Sequence, residues 1–412
     1  MRQITLAIAG AGARAQQHLD TIATLPQHFR VVAVSDTRLE RAQETAARVG
    51  AAAFASPVEM LDRARPDALF IIVPPDGHHP LAVAAAARGV HVLCEVPISI
   101  SLPLANLMID ACRRAGVVLE ICENVPRKPA ERLKQEIVRR GLLGHPLLAR
   151  MNYTSGSYHG IAGVRPLLPG AARRAWGFRR TLPALPTVDF TGIEHRTQDW
   201  EAGTFTFTAP DGTETTLLYE QPPRPGGRNT WEVVGTHGRL TDADLHLLRD
   251  VDGRRREIAY PFKYEMRPGT VETLVRAYVE TDPPVEWRNP HADLALPGGQ
   301  DDVARASQLL GFQRAVVEGV PPEYGAAEAR EDLALLIAVR ESARRGGLPV
   351  ELPLSGITSH EVALHEEYQR TYGLDPLDSP ERAAAALYPR GGITHGVTHD
   401  RIAEVVGPTS RA

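Results

Sequence analysis

The 412-residue sequence predicts an α/β protein: an N-terminal Rossmann-type, doubly wound parallel sheet, followed by an α+β unit with an open, mainly antiparallel sheet. Three observations carry that expectation. Apolar β-type runs alternate with helix-period segments from Ile4 to Cys122. A glycine fingerprint follows the first run, and beyond residue 123 the texture changes to short alternating segments joined by tight-turn residues.

Taken in order, strands are expected at 4–9, 30–35, 68–73, 90–95 and 117–122, with helices near 13–25, 39–48, 57–64, 79–88 and 102–115. Ser56, Pro57 and Glu59 combine a capping box with proline at the first helical position, and Gly89 and Gly116 close helices as left-handed caps. A helix at about 128–140 follows. Thr204–Thr208 and Thr215–Tyr219 alternate as strands around a turn at Asp211 and Gly212, and further strands are expected at Trp231–Val234, Leu245–Leu248 and Glu257–Tyr260. Helices return at about 301–318 and 326–345. Residues 160–187, rich in Pro, Gly and Arg, read as an insertion or lid, and 373–412 as a tail.

Composition narrows the function. With 43% hydrophobic and 23% charged residues, and no apolar run near the roughly 20 residues a membrane span needs, no membrane partner is expected. A net charge of -4 without basic blocks argues against nucleic acid. Cys94, Cys112 and Cys122 lack metal-ligand spacing, so no metal is expected, and a reducing, cytoplasmic compartment fits them. The apolar start could pass for a short signal peptide, but the glycine fingerprint accounts for it better.

That fingerprint runs Gly10-Ala11-Gly12-Ala13-Arg14-Ala15. Gly10 permits the tight turn, Gly12 lets a pyrophosphate approach the backbone, and Ala15 allows close helix-to-strand packing, with Ala13 and Arg14 at the helix N-terminus that faces the anion. Asp36 ends the second strand, where a carboxylate accepts ribose hydroxyls and repels a 2′-phosphate, so NAD is favoured; Arg38 keeps NADP open. Pro74-Pro75-Asp76, Glu95-Val96-Pro97 and Glu123-Asn124 fall at carboxyl ends of parallel strands, the edge where such sheets bind ligands. His78 and His79 begin a helix there, placed to cap it or touch a nucleotide.

Together, Ile4–Ala15, Val32–Asp36, Phe70–His79, Gly89–Pro97, Glu123-Asn124, Trp231–Leu240 and Pro349–Leu352 resemble the glucose-fructose oxidoreductase, inositol dehydrogenase and MocA (GFO/IDH/MocA) family across roughly residues 3–355. The resemblance implies a nicotinamide-dinucleotide domain over 1–122 and a substrate-binding and oligomerisation domain over 123–355, leaving 356–412 as a C-terminal extension. It also implies a homo-oligomer (dimer or tetramer), small-molecule substrates such as sugars or cyclitols, and Pro74, Pro75, His79, Glu95, Pro97 and Asn124 beside the cofactor.

The sequence departs from the family at two polar positions. Val96 stands where the family has a proton-supporting lysine, and Ser155 where it has an aspartate, whereas His159 is kept. His159 is therefore the first candidate general acid/base. Tyr158 and Lys128 are the nearest substitutes for the missing amine. Arg165, Arg173, Arg174, Arg179 and Arg180 crowd this segment and either present guanidinium forks to a substrate carboxylate or phosphate or form a solvated helix face, and Trp176 and Phe178 among them would suit a lid that closes over a ring. Three readings follow: an NAD(P)-dependent oxidoreductase, an enzyme whose tightly held NAD serves a net non-redox elimination, epimerisation or cyclisation, and a degenerate nucleotide-binding sensor or partner protein.

Overall fold

The computed structural model describes residues 2–154, 157–188, 194–222, 229–378 and 380–385. Ser155 and the end of the expected tail, 386–412, lie outside the described residues. The N-terminal half alternates β1 (Ile4–Ala9), α1 (Ala13–Ala23), β2 (Phe29–Ser35), α2 (Leu39–Val49), β3 (Ala52–Phe54), α3 (Pro57–Ala64), β4 (Ala68–Ile71), α4 (His78–Ala86), β5 (His91–Cys94), α5 (Leu102–Ala115) and β6 (Leu119–Ile121). These strands form one parallel sheet in the order β3-β2-β1-β4-β5-β6. Strand order reverses between β1 and β4, which opens a crevice at the carboxyl edge.

Both faces of that sheet are covered, which is why β1, β4 and β5 read as nearly continuous apolar runs. Ser56 caps α3 as expected, its side chain accepting from the Glu59 N–H. Of the elements missed in the sequence, β3 spans three residues, too few for a period to register.

The chain continues through α6 (Pro129–Arg139), β7 (Pro146–Asn152), α7 (Ser157–Val164), β8 (Ala171–Val188), β9 (Glu194–Thr208), β10 (Glu214–Gln221), β11 (Thr230–Gly235), β12 (Gly238–Leu240), β13 (Asp244–Val251) and β14 (Arg254–Pro261). Next come β15 (Lys263–Arg267), β16 (Thr273–Val279), β17 (Val285–Arg288), α8 (Gln300–Glu318), α9 (Ala326–Arg344), β18 (Val350–Glu351), α10 (Ser359–Tyr372) and α11 (Pro380–Ala385). A nine-stranded sheet runs β14-β13-β12-β11-β7-β10-β9-β8-β18, antiparallel except where β7 meets β10; β15, β16 and β17 make a small antiparallel sheet of their own. Alternation sets the faces of the larger sheet: Phe205 and Phe207 of β9 are buried, whereas Thr204 and Thr206, which alternate with them, are partly open. On the buried side α9 lies so close that a Cβ on Gly177 would sit 1.8 Å from the Val339 carbonyl oxygen.

One expectation is corrected. Residues 160–187 form neither insertion nor lid. They supply most of α7 and the long strand β8, and three of the five arginines are ion-paired: Arg174 with Glu351, Arg179 with Asp199, and Arg165, just after α7, with buried Asp332. The C-terminal segment is also built into the fold. A Thr358–Glu361 capping box starts α10, and Tyr368 packs with Ile100 and Leu104 against the first sheet's helices. Residues of α8 (Ala306, Leu309, Leu310, Phe312) share a core with β1, β2 and β4. No helix among the described residues is long and apolar enough to cross a membrane.

Candidate active site

The carboxyl edge of the parallel sheet gathers most of the expected residues. Gly10 has φ +100°, and a Cβ there would lie 2.1 Å from the Ile72 carbonyl oxygen, so only glycine permits this turn beside β4. Gly12 caps α1 without a side chain, and a Cβ on it would meet nothing within 4 Å. The first N–H groups of α1 thus face open space where a pyrophosphate fits. Asp36 stands beside this turn, accepting from the Ala11 N–H and the Arg38 N–H, both at 2.9 Å. Ala13 opens the helix and Ala15 is fully buried against the sheet. This cradle has the shape and donor set that a dinucleotide requires.

Arg14 reaches across the crevice to Glu95, Nε to Oε1 at 2.7 Å, and His18 Nε2 meets the same oxygen at 2.5 Å. Burial alone would raise the Glu95 carboxyl, but His18 and Arg14 outweigh it and hold the group well below the usual carboxylate range. His18 escaped the sequence reading because it lies on the buried face of α1 and looks like core. His18, Glu95 and Cys122 bring ligand-type atoms within 4.8 Å of one another. Arg14 already occupies that carboxylate, and burial pushes the Cys122 thiol well up, disfavouring the thiolate a metal would need.

His78 lies between the carbonyl oxygens of Val73 and Pro97, each 2.9 Å from a ring nitrogen, and so ties the Pro74-Pro75 loop to the Glu95–Pro97 loop. His79 is corrected. It is fully buried with its ring 5.8 Å from that of Tyr368 beneath α10, and burial pushes its imidazole down to about 3. It belongs to that packing and not to the nucleotide edge.

Beyond β6, Glu123 and Asn124 bring in the second sheet's elements. Glu123 is fully buried; Oε1 accepts from the Val125 N–H (2.9 Å), and Oε2 lies 2.9 Å from His159 Nδ1. His159 rises from α7 with its side chain 24% exposed. Burial works against the imidazolium, but the Glu123 charge and hydrogen bond outweigh it, and His159 is raised above its ordinary value. Asn124 Nδ2 donates to Asp301 Oδ1 (2.9 Å), and Lys128 Nζ meets the same oxygen at 3.0 Å with its side chain 25% exposed. Lys128 and Asn124 are thus brought together by Asp301 from the start of α8.

Tyr158 is also corrected. Its hydroxyl lies 3.0 Å from the Tyr324 hydroxyl and donates to Ala329 O (3.1 Å), beside Asp332, and burial pushes its phenol well up. Its hydroxyl faces α9, away from the crevice.

The matched family is described as an oxidoreductase family with an NAD-binding Rossmann fold, and it covers residues 4–122. Over those residues the chain matches the GFO/IDH/MocA family model. Sequence likeness to named relatives reaches beyond this segment, and likeness of shape reaches further still. Inositol 2-dehydrogenase 4 of Saccharopolyspora erythraea is 29% identical over 158 residues, 38% of this chain and 47% of that protein, so the chain aligns with less than half of this relative. An NAD-binding oxidoreductase from Klebsiella pneumoniae matches in structure at TM-score 0.67 and 20% identity, over 86% of this chain and all of that one. Levoglucosan dehydrogenase, solved with NADH and levoglucosan, matches at 0.65 and 18%, over 85% of this chain and all of that one. At such identities the structural likeness extends the shared fold beyond the GFO/IDH/MocA segment.

Proposed function

We propose that this protein is an NAD(H)-dependent oxidoreductase acting on a hydroxyl or carbonyl of a polyhydroxylated ring, with His159 as its proton carrier. The observation that carries the reading is the pair Glu123–His159 beside the crevice. Nδ1 donates to the buried carboxylate, which leaves Nε2 to take or return the proton of a substrate hydroxyl. Glu123 fills the role of the aspartate absent at 155. Nicotinamide, when bound, supplies the hydride exchange.

Gly10, Gly12, Ala13, Arg14, Ala15 and Asp36 would hold the dinucleotide, with Pro74, Pro75, Glu95, Pro97 and Asn124 at the nicotinamide end. The Asp36 carboxylate beside the glycine turn favours NAD over NADP. Lys128, anchored by Asp301 next to Asn124, would place a positive charge near the oxygen that becomes alkoxide-like, a task Val96 cannot perform. The names of the inositol and levoglucosan relatives support a cyclitol or sugar-like substrate. Residues 1–122 are read as the nucleotide domain, 123–355 as the substrate and oligomer domain and 356–412 as an extension. Exposed Phe178 and Leu218 on the open sheet face support self-association, and three buried free cysteines suit the cytoplasm.

The test is direct. Purified protein is stripped of nucleotide, titrated with NAD and NADP, and assayed at 340 nm against a panel of cyclitols and sugars. NAD-selective binding with absorbance change supports the reading. Product without absorbance change assigns an internally recycled cofactor instead, and no dinucleotide binding overturns both.

A further inference from the structure

Tyr153 is the group that the sequence reading passed over. It follows β7, its N–H donating to Glu220 O at 2.9 Å so that the pairing with β10 continues one residue further. Its ring is stacked on Trp231, centroids 5.8 Å apart at 27°, and that indole is itself fixed: Nε1 donates to Glu131 (2.9 Å), and Lys134 Nζ lies 4.6 Å from the ring centre. On its other side the His159 ring is 6.3 Å away. Gly160 makes this approach possible, since a Cβ there would come within 2.8 Å of Tyr153 Cβ.

The side chain is therefore rigid and, at 5% exposure, almost fully enclosed. Among the described residues its hydroxyl forms no hydrogen bond, and the oxygen is not one of the fully enclosed polar atoms that lack a partner, so it stays open to water or a ligand. Burial, with the charges of Glu123, Asp301 and Glu131, keeps the phenol protonated. The nearby cations are already paired, Lys128 with Asp301 and Lys134 with Glu131 and Asp242. The charges that act on this phenol are those of the carboxylates Glu123, Asp301 and Glu131, which disfavour a phosphate or carboxylate beside its hydroxyl. A neutral alcohol would find a fixed partner that both donates and accepts.

We propose that Tyr153 is a substrate-contacting residue whose hydroxyl bonds a ring hydroxyl of a neutral polyol, next to the one whose proton His159 handles. The assignment rests on the oxidoreductase reading above and adds the side chain that selects uncharged, multiply hydroxylated rings.

Tyr153→Phe keeps the stack on Trp231 and removes only the hydroxyl, so it tests the contact without dismantling the wall; near-ultraviolet circular dichroism checks that the wall is intact. NADH-loaded protein is titrated with myo-inositol and, separately, with levoglucosan, followed by tryptophan fluorescence, and turnover of each with NAD as the hydride acceptor is read at 340 nm. The expected result is polyol affinity and KM weakened roughly five- to tenfold by the loss of one neutral hydrogen bond. NADH affinity and the pH midpoint of kcat/KM stay at wild-type values. Phe variant constants within twofold of wild type overturn the Tyr153 assignment alone. Wild-type protein that binds NADH but neither polyol overturns the substrate reading and this assignment with it.

Discussion

Glu123 and His159 stand 36 residues apart in the chain, yet Oε2 of one lies 2.9 Å from Nδ1 of the other, joining the end of the parallel sheet to the first helix on the second sheet. A buried carboxylate fixes the ring's orientation and tautomer and favours its charged form. The dyad thus couples the cofactor edge to the substrate side through one hydrogen bond.

Its first consequence is a pH dependence. Because the His159 value is raised, the imidazolium persists above its ordinary value near 6.5. Alcohol oxidation needs the neutral ring, so kcat/KM for oxidation should climb with pH through a midpoint above about 6.5. Glu123→Gln removes the strongest influence that opposes burial and should move that midpoint to lower pH. The sign is the same for stability: the pair's contribution is fully present below the unfolded-state value and is lost as pH rises through the folded one. Rate profiles and thermal melts across pH 5–9 for both proteins check this.

His159→Ala should lower turnover by roughly 100- to 10,000-fold, the range typical of a general acid/base, while leaving NAD affinity nearly unchanged. Nucleotide titration beside single-turnover kinetics separates the two effects. Turnover close to wild type would remove His159 from the mechanism.

Gly10 and Gly12 should respond differently to alanine. At Gly10 the new Cβ collides with the Ile72 carbonyl in a left-handed conformation, so a cost of about 2 kcal/mol or more is expected, read by chemical denaturation. At Gly12 the Cβ enters empty space, so stability should hold while NAD affinity falls, because the methyl occupies the pyrophosphate's approach.

Asp36→Ala should narrow the preference for NAD over NADP. It removes the carboxylate that meets the ribose, and it also leaves the Ala11 N–H unbonded in this arrangement. Kd values for the two nucleotides on wild type and variant, measured at one ionic strength, give the answer.

Much of the fold was legible because it rests on repeated patterns. Strands buried on both faces read as apolar runs, and the glycine turn has its own spacing. The catalytic side chains were less legible. Tyr158 and His159 are neighbours in sequence, but on a helix successive residues point about 100° apart, so one faces α9 and the other the crevice. His79 looked polar and near the nucleotide loop, but α10, distant in sequence, covers it. Asp301, Glu123 and Tyr153 gain their roles only by converging from separate elements, and no local spacing encodes that.

The docking of α10 also constrains how the molecule is made. The Leu102 N–H at the start of α5 finds its acceptor in Glu361, 259 residues later, at 2.7 Å, and Tyr372 reaches back to Asp76 beside the cofactor loop. At roughly 5–20 residues per second of synthesis, the nascent Rossmann half waits at least about ten seconds for the segment that seals it. A ribosome-bound chain stopped short of residue 359 therefore displays Ile100 and Leu104 to whatever passes. The first part of the protein to be translated is among the last to be finished.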